Sequence, residues 1–260
     1  MFRVAIIRNI HPSIREEFSD LRNTVIQCEN WLADEVKRAG SKGIILGLSG
    51  GIDSSVLAAL GREALGHDGV LGVIMPCNSN PDDESDAKLL AESLDIEYIR
   101  VDLSGAFEAL CSAIGRELSP LSLSNMKARL RMVTLYAVGQ SRGLLVCGTS
   151  NRSEYETGYF TKYGDSGSDL MPLVSFLKRD IRAMAKILGV PERIITKAPS
   201  AGLIEGQTDE GDMGFTYDVL DEYLASGKID DPSAKERIDV MRRRSEHKRK
   251  PIPTFTVNSD

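Results

Sequence analysis

The sequence predicts an α/β fold in which a doubly wound parallel sheet is flanked by helices. Three observations support this fold class: four short apolar runs resemble buried parallel strands, a helical pattern separates each run from the next, and the 260 residues suffice for a large core. The runs cover residues 44–48, 70–75, 96–101 and 144–147. The length allows one large domain or two small ones, and we expect a single domain. Ligands of such sheets bind across the carboxyl ends of the strands, so each strand exit is a candidate site.

Residues 13–39 are predicted to form one long helix, because apolar side chains recur every three or four residues from Ile14 to Val36. We expect this stripe to cover the sheet, and a dimer contact is the second interpretation. The pattern of residues 2–7 fits either an extended segment or a disordered start. Residues 158–214 are rich in glycine, proline, serine and threonine, which favours functional loops. Further helices are expected at about 82–94, 123–141 and 178–188.

Composition excludes several classes of protein. The net charge of −6 argues against broad binding to nucleic acid or to a membrane surface. No apolar run is long enough for a membrane span, and the first residues do not resemble a signal peptide. The four cysteines are widely spaced and form no CxxC pair, which is typical of reduced thiols. We therefore expect a cytoplasmic protein.

The first predicted strand leads directly into a glycine turn and a helix. The apolar run ends at Ser49-Gly50-Gly51, and a helical pattern begins at Asp53. Backbone N–H groups at such a turn, together with the positive end of the helix dipole, form an anion site. Asp53 and Ser54 suit either a helix cap or a metal that accompanies a phosphate. We expect the chemistry to take place here.

Known motifs with similar residues do not fit this stretch as well. A Walker A loop requires a lysine after the last glycine, and a dinucleotide fingerprint requires G-x-G-x-x-G. Residues 47–51 formally match the G-x-S-x-G elbow of serine hydrolases. That alternative needs a histidine base, and only His247 lies downstream of most carboxylates, among cations that disfavour an imidazolium.

The S-G-G-I-D-S segment at residues 49–54 resembles the pyrophosphate-binding loop of the ATP pyrophosphatase group. Five later motifs resemble those of the NAD synthetase family, in the same order, and the resemblance runs from Leu32 to the C-terminus. These motifs lie at residues 148–154, 158–165, 197–202, 206–210 and 245–249. The resemblance implies a Rossmann-like fold of the ATP pyrophosphatase type and a homodimer. It also implies that ammonia amidates deamido-NAD, with ATP activating the carboxylate as an adenylate, in the last step of NAD biosynthesis.

The same resemblance assigns expected roles to individual residues. Asp53 and Glu154 are expected to bind Mg²⁺, which prefers hard oxygen ligands. Asp165 is expected to position ammonia or to take a proton from ammonium, and it joins Asp53, Glu154 and Lys178 as the expected catalytic set. Contacts to ATP are expected from Gly47, Leu48, Ser49, Gly50, Gly51, Ile52, Asp53, Ser54, Met75, Thr149, Lys178 and Ser200. Contacts to deamido-NAD are expected from Arg129, Lys162, Asp169, His247 and Lys248.

Two residues depart from the family pattern. Ile52 stands where many relatives have glutamine, and Ser200 replaces threonine but keeps the hydroxyl. We expect residues 1–260 to form one NAD synthetase domain whose first 40 residues are a helical segment, too short for a glutaminase domain. Free ammonia is therefore the expected nitrogen donor, with a separate glutaminase partner as the alternative. Other adenylating amidotransferases, RNA-thiolating relatives and an ATP-sensing module remain as alternative functions.

Overall fold

Four short parallel strands form the centre of the molecule, in the order β3-β2-β1-β4. The computed structural model describes residues 12–198 and 208–256. Strand β1 pairs with β2 and with β4, and β2 also pairs with β3. All four predicted strands are confirmed, whereas residues 2–7 lie outside the described ranges. The strands are β1 Ile44–Gly47, β2 Val70–Ile74, β3 Glu97–Arg100 and β4 Leu145–Val146.

Helices occupy most of the remaining described residues, and the five predicted helices are among them. They are α1 Pro12–Arg38, α2 Ile52–Leu65, α3 Pro81–Leu94, α4 Ser104–Ile114, α5 Pro120–Arg142, α6 Arg152–Thr157, α7 Lys178–Ile187, α8 Glu192–Ile195, α9 Asp209–Met213, α10 Tyr217–Ser226, α11 Pro232–Arg244 and α12 Glu246–Arg249. No helix in the described ranges is long and apolar enough to cross a membrane.

The two faces of the sheet carry separate apolar cores. Ile44 and Leu46 of β1 belong to one cluster with residues of α1, α2 and α7, whereas Ile45 belongs to a second cluster that α4 and α5 cover. This division follows from the strand period of two, which sends neighbouring side chains to opposite faces. Helices therefore flank both faces, and the predicted doubly wound sheet is confirmed.

Helix α1 buries one face of its apolar stripe in the core, where it packs chiefly against α2 and α7 and not directly on the sheet as expected. Leu32 is completely buried, and Val25 and Val36 lie in the same core. Ile26 and Trp31 point away from this core and are 46% and 40% exposed. The dimer contact considered for this helix stays a prediction.

The C-terminal helices form a third layer that periodicity did not predict. Met213, Tyr217, Leu220 and Ile238 make a small separate core between α9, α10 and α11. Helices α10 and α11 contact α6, and α10 also contacts α7. This layer therefore packs against the two short helices that follow β4 and the loops at the edge of the sheet.

The buried face of α1 provides a test of this packing. Leu32→Ala should lower the free energy of unfolding by about 2–5 kcal/mol, because it leaves a cavity in a core that has no access to solvent. Ile26→Ala, on the exposed side of the same helix, should change it by less than about 0.5 kcal/mol. Urea unfolding of both variants measures the difference, and equal losses would show that α1 does not pack as described.

Candidate active site

The glycine turn between β1 and α2 is held by its own serines. The hydroxyls of Ser49 and Ser54 lie 3.0 Å apart, and the Ser54 hydroxyl donates to the carbonyl of Gly51 at 3.0 Å. Helix α2 begins at Ile52 with Gly51 as its N-cap. The first N–H groups of a helix have no partner within the helix, so this turn presents backbone donors to an anion. The predicted strand, turn and helix start are confirmed.

Leu48 and Ile52, two residues of the expected ATP site, send their side chains into the hydrophobic core. Only their backbone groups are left to meet a ligand. This packing explains why isoleucine is accepted at position 52, because its side chain contacts the apolar core and not the expected ligand. Gly47 ends β1, and the side chain of Met75 lies over it, with Cε 3.1 Å from the place a β-carbon would occupy.

The turn also packs closely against the first turn of α3. Gly50 has φ of +73°, and a β-carbon on it would lie 2.3 Å from the carbonyl oxygen of Asp83. Asp83 in turn accepts a hydrogen bond from Lys197 Nζ at 2.7 Å, and Asp86 accepts a second at 2.7 Å. Helix α3 thus connects the glycine turn with the segment that precedes residue 199.

Three expected catalytic residues meet at the start of α2, α6 and α7. The Lys178 ammonium lies 2.6 Å from Asp53 Oδ2 and 3.2 Å from Glu154 Oε1. The lysine side chain is 2% exposed, whereas solvent still reaches about a sixth of each carboxylate, 18% of Asp53 and 16% of Glu154. The structure therefore places an ammonium group between the two carboxylates that are expected to bind Mg²⁺. The expected contact of Lys178 with ATP remains a prediction.

Electrostatics links the ionisation of these three groups. Burial raises the pKa of Glu154 above its ordinary value, and the neighbouring charge of Asp53 raises it further, while Lys178 opposes both. Burial alone would lower the pKa of Lys178, but the charges of Asp53 and Glu154 outweigh burial, so its pKa is raised. Lys178 is accordingly a permanent cation.

Several residues around Lys178 were not assigned a role from the sequence. Lys178 N donates to Ser153 Oγ at 3.0 Å, and Arg179 N donates to Asp221 Oδ2 at 2.8 Å. Ser153 also donates to Asp221 Oδ1 at 2.5 Å. Residues of α6 and α10 thereby satisfy the first N–H groups of α7 and hold the backbone of Lys178 in place. No local pattern in the sequence signals this contact.

A tyrosine closes the inner side of the same cluster. The ring of Tyr217 lies beneath the Lys178 ammonium, 4.8 Å from Nζ to the ring centroid. Its hydroxyl donates to Asp209 Oδ2 at 2.9 Å and lies 3.5 Å from Glu154 Oε1. Burial raises the pKa of Asp209 above its ordinary value. The layer formed by α9 and α10 therefore supplies one wall of the site.

Asn151 connects the two carboxylates on the side away from Lys178. Its side-chain amide donates to Asp53 Oδ1 at 2.8 Å, and its carbonyl oxygen accepts from the backbone N of Glu154 at 3.0 Å. Asn151 is the N-cap of α6, and Glu154 completes a capping box with it. The spacing N-x-x-E in the sequence is the signal that could have identified this cap.

Four of the five residues expected to contact deamido-NAD lie together on another part of the surface. Arg129 Nη2 donates to the carbonyl of Lys162 at 3.2 Å, and Lys162 Nζ donates to the carbonyl of His247 at 2.6 Å. Lys248 Nζ donates to the carbonyls of Gly158 and Phe160. This basic cluster, Arg129, Lys162, His247 and Lys248, joins α5, the loop after α6 and α12.

Asp169 lies apart from this chain of contacts, whereas Asp165 lies near Lys248. Asp169 accepts from the Tyr136 hydroxyl at 3.0 Å and from Val146 N at 2.8 Å, so it supports the end of β4. Asp165 accepts from Thr161 N at 2.8 Å. The side chain of Asp165 is exposed. Desolvation by nearby protein atoms raises the pKa of its carboxyl, while the hydrogen bond from Thr161 N and the charge of Lys248 oppose the rise.

The other expected ATP contacts are placed only in part. Met75 and Thr149 follow β2 and β4 at the same edge of the sheet as Ser49, as the parallel topology predicts. Ser200 lies outside the described residues.

The structure argues against the serine hydrolase alternative. Ser49 Oγ contacts Ser54 and Gly51 N, whereas His67 contacts Asp95 and the backbone of His247 contacts Lys162. Neither of these histidines, which are the two within the described residues, contacts Ser49. The hydroxyl therefore stabilises the turn and has no base beside it.

The pair Asp53 and Glu154 suits Mg²⁺ in the chemistry of its donors. Within the described ranges, no group of three or more histidine, cysteine, aspartate or glutamate side chains could hold a metal ion. Mg²⁺ at nucleotide sites is held by one or two carboxylates together with phosphate and water oxygens, and two carboxylates are what the site provides.

The contact between Gly50 and α3 provides a test of the turn. Gly50→Ala should weaken ATP binding about tenfold or more, about 1.4 kcal/mol, because the new methyl group must push the turn away from Asp83. Gly227→Ala is the matched control, since Gly227, the left-handed C-cap of α10, also has a positive φ of +74° but nothing lies within 4 Å of its β-carbon position. It should cost only the left-handed conformation, about 1–2 kcal/mol of stability, and leave binding unchanged. Calorimetric titration with ATP measures the affinity of each variant. Equal affinities of Gly50→Ala and the wild type would contradict the role of this contact.

Comparison with known proteins agrees with this geometry. The sequence matches the NAD synthase family over residues 24–252. A protein from Finegoldia magna described as NH(3)-dependent NAD(+) synthetase is 51% identical, over 88% of this chain and 95% of that protein. Among solved structures, NMN synthetase from Francisella tularensis has a TM-score of 0.88 at 39% identity, covering 91% of this chain and 99% of that one. The NH3-dependent NAD synthetase from Campylobacter jejuni has a TM-score of 0.76 at 30% identity, with the same coverage. This chain belongs to the NAD synthase family.

Proposed function

We propose that this chain makes NAD by amidating deamido-NAD with ammonia at the expense of ATP, and that Asp53, Glu154 and Lys178 carry the ATP chemistry. As a member of the NAD synthase family, the chain is an ATP-dependent carbon–nitrogen ligase of NAD biosynthesis. The observation that supports the assignment of residues is the ammonium group of Lys178 between two carboxylates, beside a turn that presents backbone donors to an anion.

The reaction has a simple chemical difficulty. A carboxylate is a poor electrophile, and ammonia cannot expel oxide from it. Transfer of AMP from ATP to the carboxylate gives a mixed anhydride and releases pyrophosphate, after which ammonia displaces AMP and forms the amide. The protein must therefore neutralise a triphosphate, expose its α-phosphorus and admit ammonia while excluding water.

The turn at residues 49–54 and Lys178 meet the first of these needs. Backbone N–H groups at the start of α2 bind phosphate oxygens, and Ser49 and Ser54 keep the turn rigid. Lys178 adds a full positive charge in a place with little solvent, where its interaction with a phosphate is strong. Met75 and Thr149, at neighbouring strand exits, line the path along which the nucleotide lies.

Mg²⁺ is the cofactor that the site suits. Asp53 Oδ2 and Glu154 Oε1 would hold it, and the ion would supply charge neutralisation for the phosphate oxygens. In the structure these two oxygens share the ammonium of Lys178. We infer that Lys178 exchanges these carboxylates for phosphate oxygens when the nucleotide binds.

The basic cluster of Arg129, Lys162, His247 and Lys248 is the proposed site for deamido-NAD. Its cations suit the phosphates of a dinucleotide, and its backbone contacts hold α5 and α12 together. Asp165 lies near Lys248, and its carboxyl has a raised pKa. A carboxyl of this kind attracts ammonium and takes a proton from it more readily than an ordinary aspartate. Asp169, whose carboxylate accepts a hydrogen bond from Val146 N of β4, completes the proposed set of contacts to deamido-NAD.

Other expectations concern the assembly and the nitrogen source. A homodimer, a cytoplasmic location and delivery of ammonia by a glutaminase partner stay predictions. A glutaminase partner is not needed for the reaction, since free ammonia can attack the adenylate directly. The four free cysteines agree with a reducing environment.

A mononucleotide substrate is the second candidate. The solved structure with a TM-score of 0.88 is that of an NMN synthetase, a name that identifies a mononucleotide product. The same activation of a carboxylate by ATP applies to both acceptors. The assay must therefore offer deamido-NAD and deamido-NMN separately.

The proposed reaction can be followed by mass spectrometry of the purified protein with ATP, Mg²⁺, ammonium and one acceptor. We expect NAD and AMP to appear in equal amounts with deamido-NAD, and Asp53→Asn to abolish both products. A higher kcat/KM with deamido-NMN would move the chain to the second candidate. If no AMP forms with either acceptor, the ligase assignment fails, and an ATP-sensing module would be the better description.

The raised pKa of Glu154 predicts how Mg²⁺ activation depends on pH. A proton on this carboxyl competes with the metal, and its raised pKa keeps that competition in force above the ordinary glutamate pKa of about 4.3. The Mg²⁺ concentration for half-maximal activity should therefore rise as pH falls through the raised pKa and should level off above it. Glu154→Gln, which cannot titrate, should need more Mg²⁺ at every pH and show a flatter dependence. A wild-type curve as flat as that of Glu154→Gln would contradict the prediction.

A further inference from the structure

Asn151 makes three hydrogen bonds to the two carboxylates or their backbone. Its Nδ2 donates to Asp53 Oδ1 at 2.8 Å, its Oδ1 accepts from Glu154 N at 3.0 Å, and its own backbone N donates to Glu154 Oε2 at 3.3 Å. The residue is completely buried. Within the described ranges, Lys178 is the other residue that hydrogen-bonds to both Asp53 and Glu154.

Capping of α6 explains only two of these contacts. The capping box accounts for the bond to Glu154 N and for the bond from the backbone of Asn151. The third bond reaches Asp53, which lies on α2 and is 98 residues away in the chain. The orientation of the amide is determined, because the atom that accepts from Glu154 N must be the oxygen and the atom toward Asp53 is then the NH₂. A helix cap has no need of this contact.

The contacts divide the carboxylate oxygens into two sets. Asn151 engages Asp53 Oδ1 and Glu154 Oε2, whereas Lys178 engages Asp53 Oδ2 and Glu154 Oε1. Each carboxylate thus has one oxygen held by the asparagine and the other directed at a single cation. Because a carboxylate is rigid and planar, holding one oxygen restricts the direction of the second.

We propose that Asn151 is the positioning residue that presents Asp53 Oδ2 and Glu154 Oε1 as a preformed pair for a divalent cation. This inference rests on the proposed function, in which the pair binds Mg²⁺. Partners that orient metal ligands in this way affect metal affinity about 10–100-fold when they are removed. The amide has an advantage over a charged partner, because it restrains the carboxylate without neutralising it.

The test is the affinity for Mn²⁺, measured by electron paramagnetic resonance in the presence of the non-cleavable analogue α,β-methylene-ATP. Asn151→Ser should raise the Kd for Mn²⁺ about 10–100-fold. Serine caps a helix about as well as asparagine, so α6 should survive, and the backbone N of residue 151 still donates to Glu154. The serine hydroxyl is too short to reach Asp53 as well.

The matched control is Asn80→Ser. Asn80 is the N-cap of α3 and accepts from Asp82 N at 3.0 Å, with no contact to Asp53 or Glu154. The same exchange of side chains there should leave the Kd for Mn²⁺ within about twofold of the wild type, since it changes only a helix cap.

The outcomes are distinct. A wild-type affinity in Asn151→Ser would overturn the positioning role while leaving the proposed metal site intact. If the wild-type protein itself bound no Mn²⁺, or if Asp53→Asn bound it equally well, the proposed metal site would fail and this inference with it. Should Asn151→Ser not fold, Asn151→Gly takes its place, since glycine costs only a few tenths of a kcal/mol at an N-cap.

Discussion

A single buried ammonium group determines the arrangement of the site. Lys178 is almost inaccessible to solvent, and the charges of Asp53 and Glu154 compensate for the cost of its burial. Removing one member of such a group leaves a buried charge without compensation, which typically costs about 3–5 kcal/mol. The starts of α2, α6 and α7 must therefore stay together, because each carries one of the three charges.

The rest of the fold supplies the supports for this group. Ser153 and Asp221 hold the backbone of Lys178, Tyr217 lies under its ammonium, and Asn151 holds the far oxygens of the carboxylates. The C-terminal layer is thus part of the site, since two of these residues belong to α10. Without that layer the sheet would keep the glycine turn but would lack the wall that Tyr217 forms beside the ammonium of Lys178.

Local patterns predicted the elements well and the contacts poorly. The runs at residues 44–48 and 70–75 identified their strands, because a strand buried on both faces is continuously apolar. The glycine turn was predicted because its residues are adjacent in sequence. Helices α9 to α11 were missed, and in the structure their apolar residues pack against each other in a small separate core. The role of Asn151 was missed because it depends on a hydrogen bond to Asp53, which lies in another helix.

The sequence by itself determined the class of sheet, the glycine turn and the family, because each depends on neighbouring residues or on motifs that are read in order. Only the tertiary structure decided which side chains meet. Asp53 and Lys178 are 125 residues apart, and their contact depends on how two helices begin at the same edge of the sheet. The order of the strands, their crossover connections and the packing of α10 determine where these two helices begin. These are properties of the whole chain, and no local sequence pattern predicts them.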